Sequence, residues 1–345
     1  MRELTYAKAI REAHAQLLAD DDRVFVIGQG LWSPWYVGGT MTDLEQEFGC
    51  ERLIDSPVSE NATTGAAVGA ALAGMRPIVV HPRMDFMTLA IDPIIDQAAN
   101  WSHMFGGQCG VPVVIRPIIN RGGEQGAQHS QALQAFFLHV PGIKVVMPAT
   151  PEDAKGMLIA AVYDGNPVMY IDDRWLYDDT GPVPEQKYHT PIGKAAVRHV
   201  GSDVTIVASS YMVSLSMKAA ELLQEDGISA EIIDLRTIKP WDKATVCESV
   251  AKTGRLVIAD GTWATGGVSS EIMAVVATRM FNTLKTPPVR VCLPDAPAPT
   301  SISLEKAYYP NAGTIATAVE AAMDSGRPTK NPQPTAETPG QIVLV

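Results

Sequence analysis

The sequence predicts an α/β chain built as two doubly wound halves with mainly parallel sheets, and three observations carry that expectation. Short continuous apolar runs, RVFVIG at 23–28, PIVV at 77–80, VPVVIR at 111–116, IKVVMP at 143–148 and PVMYID at 167–172, alternate with helical patterns at 61–74, about 85–104 and 151–163. Strands that are apolar throughout, with helices between them, belong to a parallel sheet covered on both faces. The alternation then starts again beyond residue 200, and 345 residues suit two cores rather than one. A hydrophobic content of 46% with only 6% aromatics fits aliphatic α/β layering.

Each element has its local reason. Residues 5–20 place Tyr6, Ile10, Ala13 and Leu17 on one helical face, with Thr5 as N-cap and Asp20-Asp21-Asp22 as the stop. Thr150 precedes Pro151, which suits the first position of the 151–163 helix. Residues 1–175 form the expected first domain. The stretch that follows is polar, carries three prolines and lacks periodicity, so 176–200 is expected to be a linker. Residues 201–327 form the second domain, through DVTIVASS, a helix at 211–226, AEIIDL, a helix at 242–253, RLVIAD, a helix at 267–283, PVRVCL and a helix at 311–324. The Pro- and Thr-rich segment 328–345 is expected to be a flexible tail.

The net charge is −11, with no basic block longer than a dipeptide, which argues against nucleic acid or an anionic membrane as partner. Cys50, Cys109, Cys247 and Cys292 are far apart and form no CxxC pair, so they suit reduced thiols in a cytoplasmic protein. The charged amphipathic N-terminus is unlike a signal peptide, and no apolar run is long enough to span a bilayer.

The segment LIDSPVSENATTGAAVGAALAG, 53–74, concentrates the chemical interest. One carboxylate, Glu60, opens a helix that is otherwise Ala, Gly, Thr and Val. An acid in a first turn is favoured by the helix dipole, with Ser59 beside it as a cap. The glycines that follow lower helix stability, so the bare surface needs another cause, such as a cofactor, a backbone or a subunit approaching closely.

DSPVSENATTGAAVGAALAGMRPIVV resembles the segment around the catalytic glutamate in beta subunits of thiamine-diphosphate-dependent 2-oxo acid dehydrogenases, of the pyruvate, branched-chain and acetoin type. The similarity continues through DQAANWSHMFGG, through QHSQALQAFFLHVPGIKVVMPATPEDAKGMLIAAVYDGNPVMY, and through IIDLRTIKPWD and TGGVSSEI, covering about residues 3–325 in order. It implies a pyrimidine-binding domain of the transketolase type followed by a transketolase C-terminal-like domain. It also implies that Glu60 bonds the far pyrimidine nitrogen of thiamine diphosphate, favouring the imino tautomer that deprotonates the thiazolium, and that its carboxylate is buried. By the same resemblance Phe86 packs on the aminopyrimidine and His129 stands near the reacting centre, where it can hydrogen-bond the substrate. The Asp164–Asn166 turn matches a loop that holds a monovalent cation, K+, in some relatives.

Departures from the family pattern matter as much. The turn after the first strand reads GQG, so Gln29 stands where relatives carry an acid, and a neutral amide cannot share a proton with Glu60. The neighbouring loop carries Trp32, Trp35 and Tyr36. Arg83 replaces an uncharged residue three positions before Phe86, which suggests recognition of an anionic group on the substrate. No GDG and no Asn-Asn occurs, although the family grips the diphosphate and its Mg2+ with those motifs. An alpha subunit carrying GDG and Asn-Asn must supply them, giving an expected α2β2 assembly with beta–beta self-association. The glycine loop NRGGEQGAQHSQ fits no nucleotide-phosphate cradle.

The resemblance therefore implies decarboxylation of a 2-oxo acid and transfer of the acyl unit to a lipoyl group, with a lipoyl acyltransferase as a further partner. One alternative is a split transketolase-like enzyme moving a two-carbon ketol or acyl unit to a sugar or other acceptor. Another is a non-catalytic beta-like subunit serving assembly or regulation, and a generic α/β binding protein is the last.

Overall fold

The computed structural model describes residues 2–324 and 342–344. Two compact units emerge, one made of residues 1–121, 136–192 and 237–240, the other of 122–135, 193–236 and the described residues from 241 onward. The tail expected over 328–345 lies outside the described residues, apart from a short strand at Ile342–Leu344.

The first unit holds strands β1 (Arg2–Thr5), β2 (Val24–Gly28), β3 (Leu53–Asp55), β4 (Arg76–His81), β5 (Val114–Ile119), β6 (Lys144–Val146), β7 (Val168–Tyr170), β8 (Asp172–Asp173) and β9 (Thr180–Val183). The second holds β10 (Ala196–His199), β11 (Val204–Ala208) and β12 (Ala230–Asp234), then β14 (Leu256–Trp263), β15 (Val289–Leu293) and β16 (Ile342–Leu344); β13 (Thr237–Lys239) returns to the first.

Among the described residues the main sheet of the first unit runs β13-β6-β7-β5-β4-β2-β3, with β8 beside β5. Every pairing in it is parallel except β13 on β6. Strands β4 and β5 are almost wholly buried, which explains why they read as unbroken apolar runs. The Tyr6–Asp20 helix packs on the Pro151–Val162 helix. Both start where expected, with the Thr5 side chain accepting from the Lys8 amide and the Thr150 side chain from the Asp153 amide.

The stretch expected as a linker is divided between the units. Its first part wraps the first unit: β9 pairs antiparallel with β1. The fully buried Lys155 ammonium lies 2.6 Å from Glu12 and donates to the carbonyls of Pro184, Glu185 and Gln186 at 2.8–3.0 Å. Prolines break periodicity without preventing such edge pairing, which is why this segment looks structureless in sequence. The expected 85–104 helix is broken into a short turn at Met84–Met87, a 3-10 turn at Thr88–Ala90, a π-helical run at Pro93–Ala99 and a last turn at Asn100–Met104.

In the second unit the order is β10-β12-β11-β14-β15-β16, parallel through its centre and antiparallel at both edges. Helices Tyr211–Glu225, Lys243–Thr253, Val268–Arg279 and Ala312–Asp324 pack on it close to their expected spans. Among the described residues no helix is long and apolar enough to cross a membrane.

Candidate active site

In open α/β sheets ligands gather beyond the carboxyl ends of the strands, and that edge of the first unit collects most of the residues singled out above. Strand β2 ends at Gly28, β3 at Asp55, β4 at His81, and β8, following β7, lies beside the end of β5 through Asp172 and Asp173. Gln29, Glu60, Arg83, Phe86 and Arg174 all lie in the segments that follow these ends.

The turn at Gly28-Gln29-Gly30 is fixed by its glycines. A Cβ on Gly28 would stand 2.3 Å from the Val80 carbonyl oxygen, so β2 and β4 approach as only glycine allows. Gly30 has φ +65° and donates its amide to the Asp55 carboxylate at 2.7 Å. Between them Gln29 is aimed at Glu60, and its amide nitrogen donates to Glu60 Oε1 at 3.2 Å.

Glu60 begins the helix Glu60–Leu72 and is 7% exposed, as the resemblance implied it should be buried. Ser59 does not cap this helix with its side chain; instead the Thr63 amide and hydroxyl both donate to the Ser59 carbonyl, at 2.9 and 2.8 Å. Glu60, Thr64, Ala67, Val68 and Ala71 form the buried stripe. Gly65, Ala66 and Gly69 are exposed, and a Cβ on either glycine would meet nothing within 4 Å. At 100° per residue the acid and the glycines therefore occupy opposite faces of one helix. The small residues do not make room around Glu60; they leave a shallow outer face.

One turn beyond Glu60, the Thr64 hydroxyl lies 3.2 Å from His81 Nε2, tying the helix to the end of β4. His81 is buried, and that burial lowers its pKa to about 4. The imidazole is thus neutral near pH 7 and adds no charge behind the carboxylate. The sequence signal for this residue is a histidine ending a buried strand, opposite a threonine four residues after the acid.

The ends of β5 and β8 carry buried ion pairs. Arg116 donates to both Asp172 oxygens at 3.1 and 2.7 Å and to Thr40, while the Tyr177 hydroxyl donates to Asp172 at 2.5 Å. Burial opposes the charge on Arg116, yet Asp172 and Tyr177 more than offset it, leaving the guanidinium above its ordinary value. Arg121 is paired with Asp173 at 2.8 Å. Arg83 and Arg174 differ: among the described residues neither has an ion pair, and Arg83 donates to the Pro82 carbonyl at 2.9 Å. Phe86, half-buried, sits in the turn after β4, which packs against the Glu60–Leu72 helix. The loop after the glycine turn leaves Trp35 72% exposed and Trp32 46% exposed.

His129 is not brought to this edge within one unit. It is half-buried in the 122–135 segment, which belongs to the second unit. Asp164 and Asn166 lie at the start of β7, the opposite edge of the sheet, and the Asp164 carboxylate is taken up by Lys144 at 2.5 Å. Among the described residues no three His, Cys, Asp or Glu side chains form a metal-binding group.

Comparison with known proteins gives a consistent picture. Residues 2–178 match the transketolase pyrimidine-binding domain family, and residues 193–315 match the transketolase C-terminal domain family. The chain is 42% identical over 340 residues to the acetoin:2,6-dichlorophenolindophenol oxidoreductase subunit beta of Cupriavidus necator, covering 94% of this chain and 99% of that one. It is 40% identical over 318 residues to the pyruvate dehydrogenase E1 component subunit beta of Rickettsia felis, covering 92% and 98%. A solved structure described as a split gene transketolase, inactive beta4 tetramer, superposes with a TM-score of 0.74 at 23% identity, covering 93% and 98%, a likeness of fold.

Proposed function

This chain belongs to the family of transketolase-like beta subunits of thiamine-dependent 2-oxo acid dehydrogenases, and from that premise we propose that it supplies the pyrimidine half of a thiamine diphosphate site whose diphosphate half comes from an alpha subunit. The single observation carrying the proposal is Glu60: a nearly buried carboxylate at the carboxyl edge of the sheet, held at Oε1 by Gln29, while the described residues offer Oε2 no hydrogen bond. An oxygen without a hydrogen bond on a nearly buried carboxylate suits a ring nitrogen brought from outside the chain.

When bound, the cofactor supplies an electron sink for decarboxylation of a 2-oxo acid. The chain's own part is to place and hold a proton. Glu60 presents Oε2 to the far pyrimidine nitrogen and keeps a proton on that line. Gln29 fixes the carboxylate's orientation by donating its N–H to Oε1 and does not compete for the proton, since an amide does not titrate near neutral pH. Thr64 and neutral His81 pin the first turn of the helix, so the carboxylate keeps its angle. Phe86 covers the ring face and His129 binds the substrate from the segment 122–135; both are assignments of this proposal.

The finer assembly belongs to the same reading. With neither GDG nor Asn-Asn in the sequence, Mg2+ and the diphosphate fall to the alpha subunit of an α2β2 complex, and a lipoyl acyltransferase in the cytoplasm takes the acyl unit. The exposed small-residue face of the Glu60–Leu72 helix is a surface against which another subunit can lie closely. A K+ ion on backbone carbonyls of the Asp164–Asn166 turn is part of the proposal, with the Asp164 carboxylate left to Lys144. The test is calorimetric titration of thiamine diphosphate with Mg2+ into this chain, into the alpha subunit and into the complex. Tight binding confined to the complex supports the divided site; equally tight binding to this chain alone refutes it.

A further inference from the structure

Tyr36 is where two arginines meet that have no ion pair among the described residues. Its ring is pressed against the glycine turn that holds Gln29: a Cβ on Gly30 would lie 2.1 Å from it. The Arg83 guanidinium lies over that ring at 5.9 Å from its centroid. From the other side of the sheet edge, following β8, Arg174 donates from Nη2 to the Tyr36 backbone carbonyl. Both arginines have a buried Nε without a hydrogen-bond partner.

Nearby arginines are treated differently by the fold. The two acids of β8 are taken by Arg116 and Arg121, so no β8 carboxylate is left for Arg83 and Arg174. Asp85, two residues further on, acts favourably on Arg83 through space. Burial first, and the Arg174 charge second, push the Arg83 guanidinium below its ordinary value. Arginine stays protonated under such pressure, so the arrangement is a positive field that Asp85 and Tyr36 relieve only in part. Partly buried like charges held close together are destabilising, and an incoming oxyanion lowers that penalty.

We propose that Arg83 and Arg174, steadied by Tyr36, form a two-arginine clamp for an oxyanion on the substrate at the end remote from its reacting carbon. This rests on the function proposed above and narrows it to substrates carrying a second anionic group, a carboxylate or a phosphate. The planar guanidinium fork suits either group by paired N–H donation. Arg83 follows β4 by the same turn that carries Phe86, so the clamp shares the sheet edge with Glu60 and Gln29.

The experiment uses the complex with its alpha subunit, thiamine diphosphate and Mg2+, made slow by Glu60→Gln so that binding is read without turnover. Two probe pairs are titrated calorimetrically: a 2-oxo monocarboxylate against the 2-oxo dicarboxylate of equal chain length, and a ketose against its terminal phosphate ester. The clamp expects the anionic member of at least one pair to bind at least tenfold more tightly. Which pair shows the preference identifies carboxylate or phosphate. Arg83→Met and Arg174→Met should each erase most of that ratio, while Arg83→Lys and Arg174→Lys, folded variants that keep the charge, retain part of it. Equal binding within both pairs, or a ratio untouched by Arg83→Met, overturns the clamp. Full turnover by Glu60→Gln overturns the role of Glu60 instead, and the ratios are then read on the complex loaded with a non-reacting thiamine diphosphate analogue.

Discussion

Replacing Gln29 by Glu puts a second carboxylate where an amide now donates to Glu60 Oε1 across 3.2 Å. Two unit charges at that separation repel by about 5 kcal/mol at an effective dielectric constant of about 20. Gln29 is half-buried, so solvent removes part of this, and about 2–3 kcal/mol is a reasonable remainder. The folded variant avoids the repulsion by keeping one proton between the two carboxyls, a proton that the unfolded chain gives up near pH 4.3. The native state then binds more protons than the unfolded state, so the variant's stability relative to the parent falls as pH rises. Urea unfolding of both proteins from pH 4.5 to 8 reads this directly. The two curves should nearly coincide at the acid end and separate by about 2–3 kcal/mol by pH 8. A separation that is constant with pH, or absent, refutes the reasoning that Glu60 and residue 29 share one shielded place.

Buried neutral histidines set a second pH dependence: burial lowers the pKa of His81 to about 4 and that of His14 to about 3. Because the unfolded chain takes up these protons from about pH 6.5 downward, stability should fall between pH 6.5 and 4, by roughly 3 kcal/mol for His81 alone, and His81→Gln should flatten its share of the urea-midpoint curve. Gly65→Ala with Gly69→Ala meets open space on an exposed helical face and should raise the unfolding midpoint of the isolated chain, by about 1–2 kcal/mol in total. The same pair should weaken assembly with the partner subunit in analytical ultracentrifugation; unchanged assembly would remove that face from the interface.

Much of the fold was legible because its strands are buried on both faces and its helices carry ordinary caps. Thr5 and Thr150 lie where the start of a helix needs them, and β2, β4 and β5 are apolar runs because helices cover both sides. The pieces that escaped have physical reasons. Strands β9, β10 and β13 are short edge elements paired antiparallel, whose three- or four-residue signals are lost among prolines and charges. The π-helical run Pro93–Ala99 keeps enough helical spacing to pass for a continuous helix. At the site, burial of Glu60 was expected from the chemistry the resemblance implied. The opposition of Glu60 to Gly65 and Gly69 follows from the helical period and could have been read, but the bareness of the segment drew attention away from which residue faces where. Arg174 carried no local signal: its meaning depends on Asp172 and Asp173 already being taken by Arg116 and Arg121, a fact of tertiary pairing.

The central claim is tested most directly by steady-state turnover of a 2-oxo acid by the complex of this chain with its alpha subunit, comparing the parent with Glu60→Gln at saturating thiamine diphosphate and Mg2+. Loss of a proton-sharing carboxylate should lower kcat by about a hundredfold or more, the scale of general acid–base help, with the folded complex intact by sedimentation. A Glu60→Gln complex that turns over at the parent's rate would contradict the account.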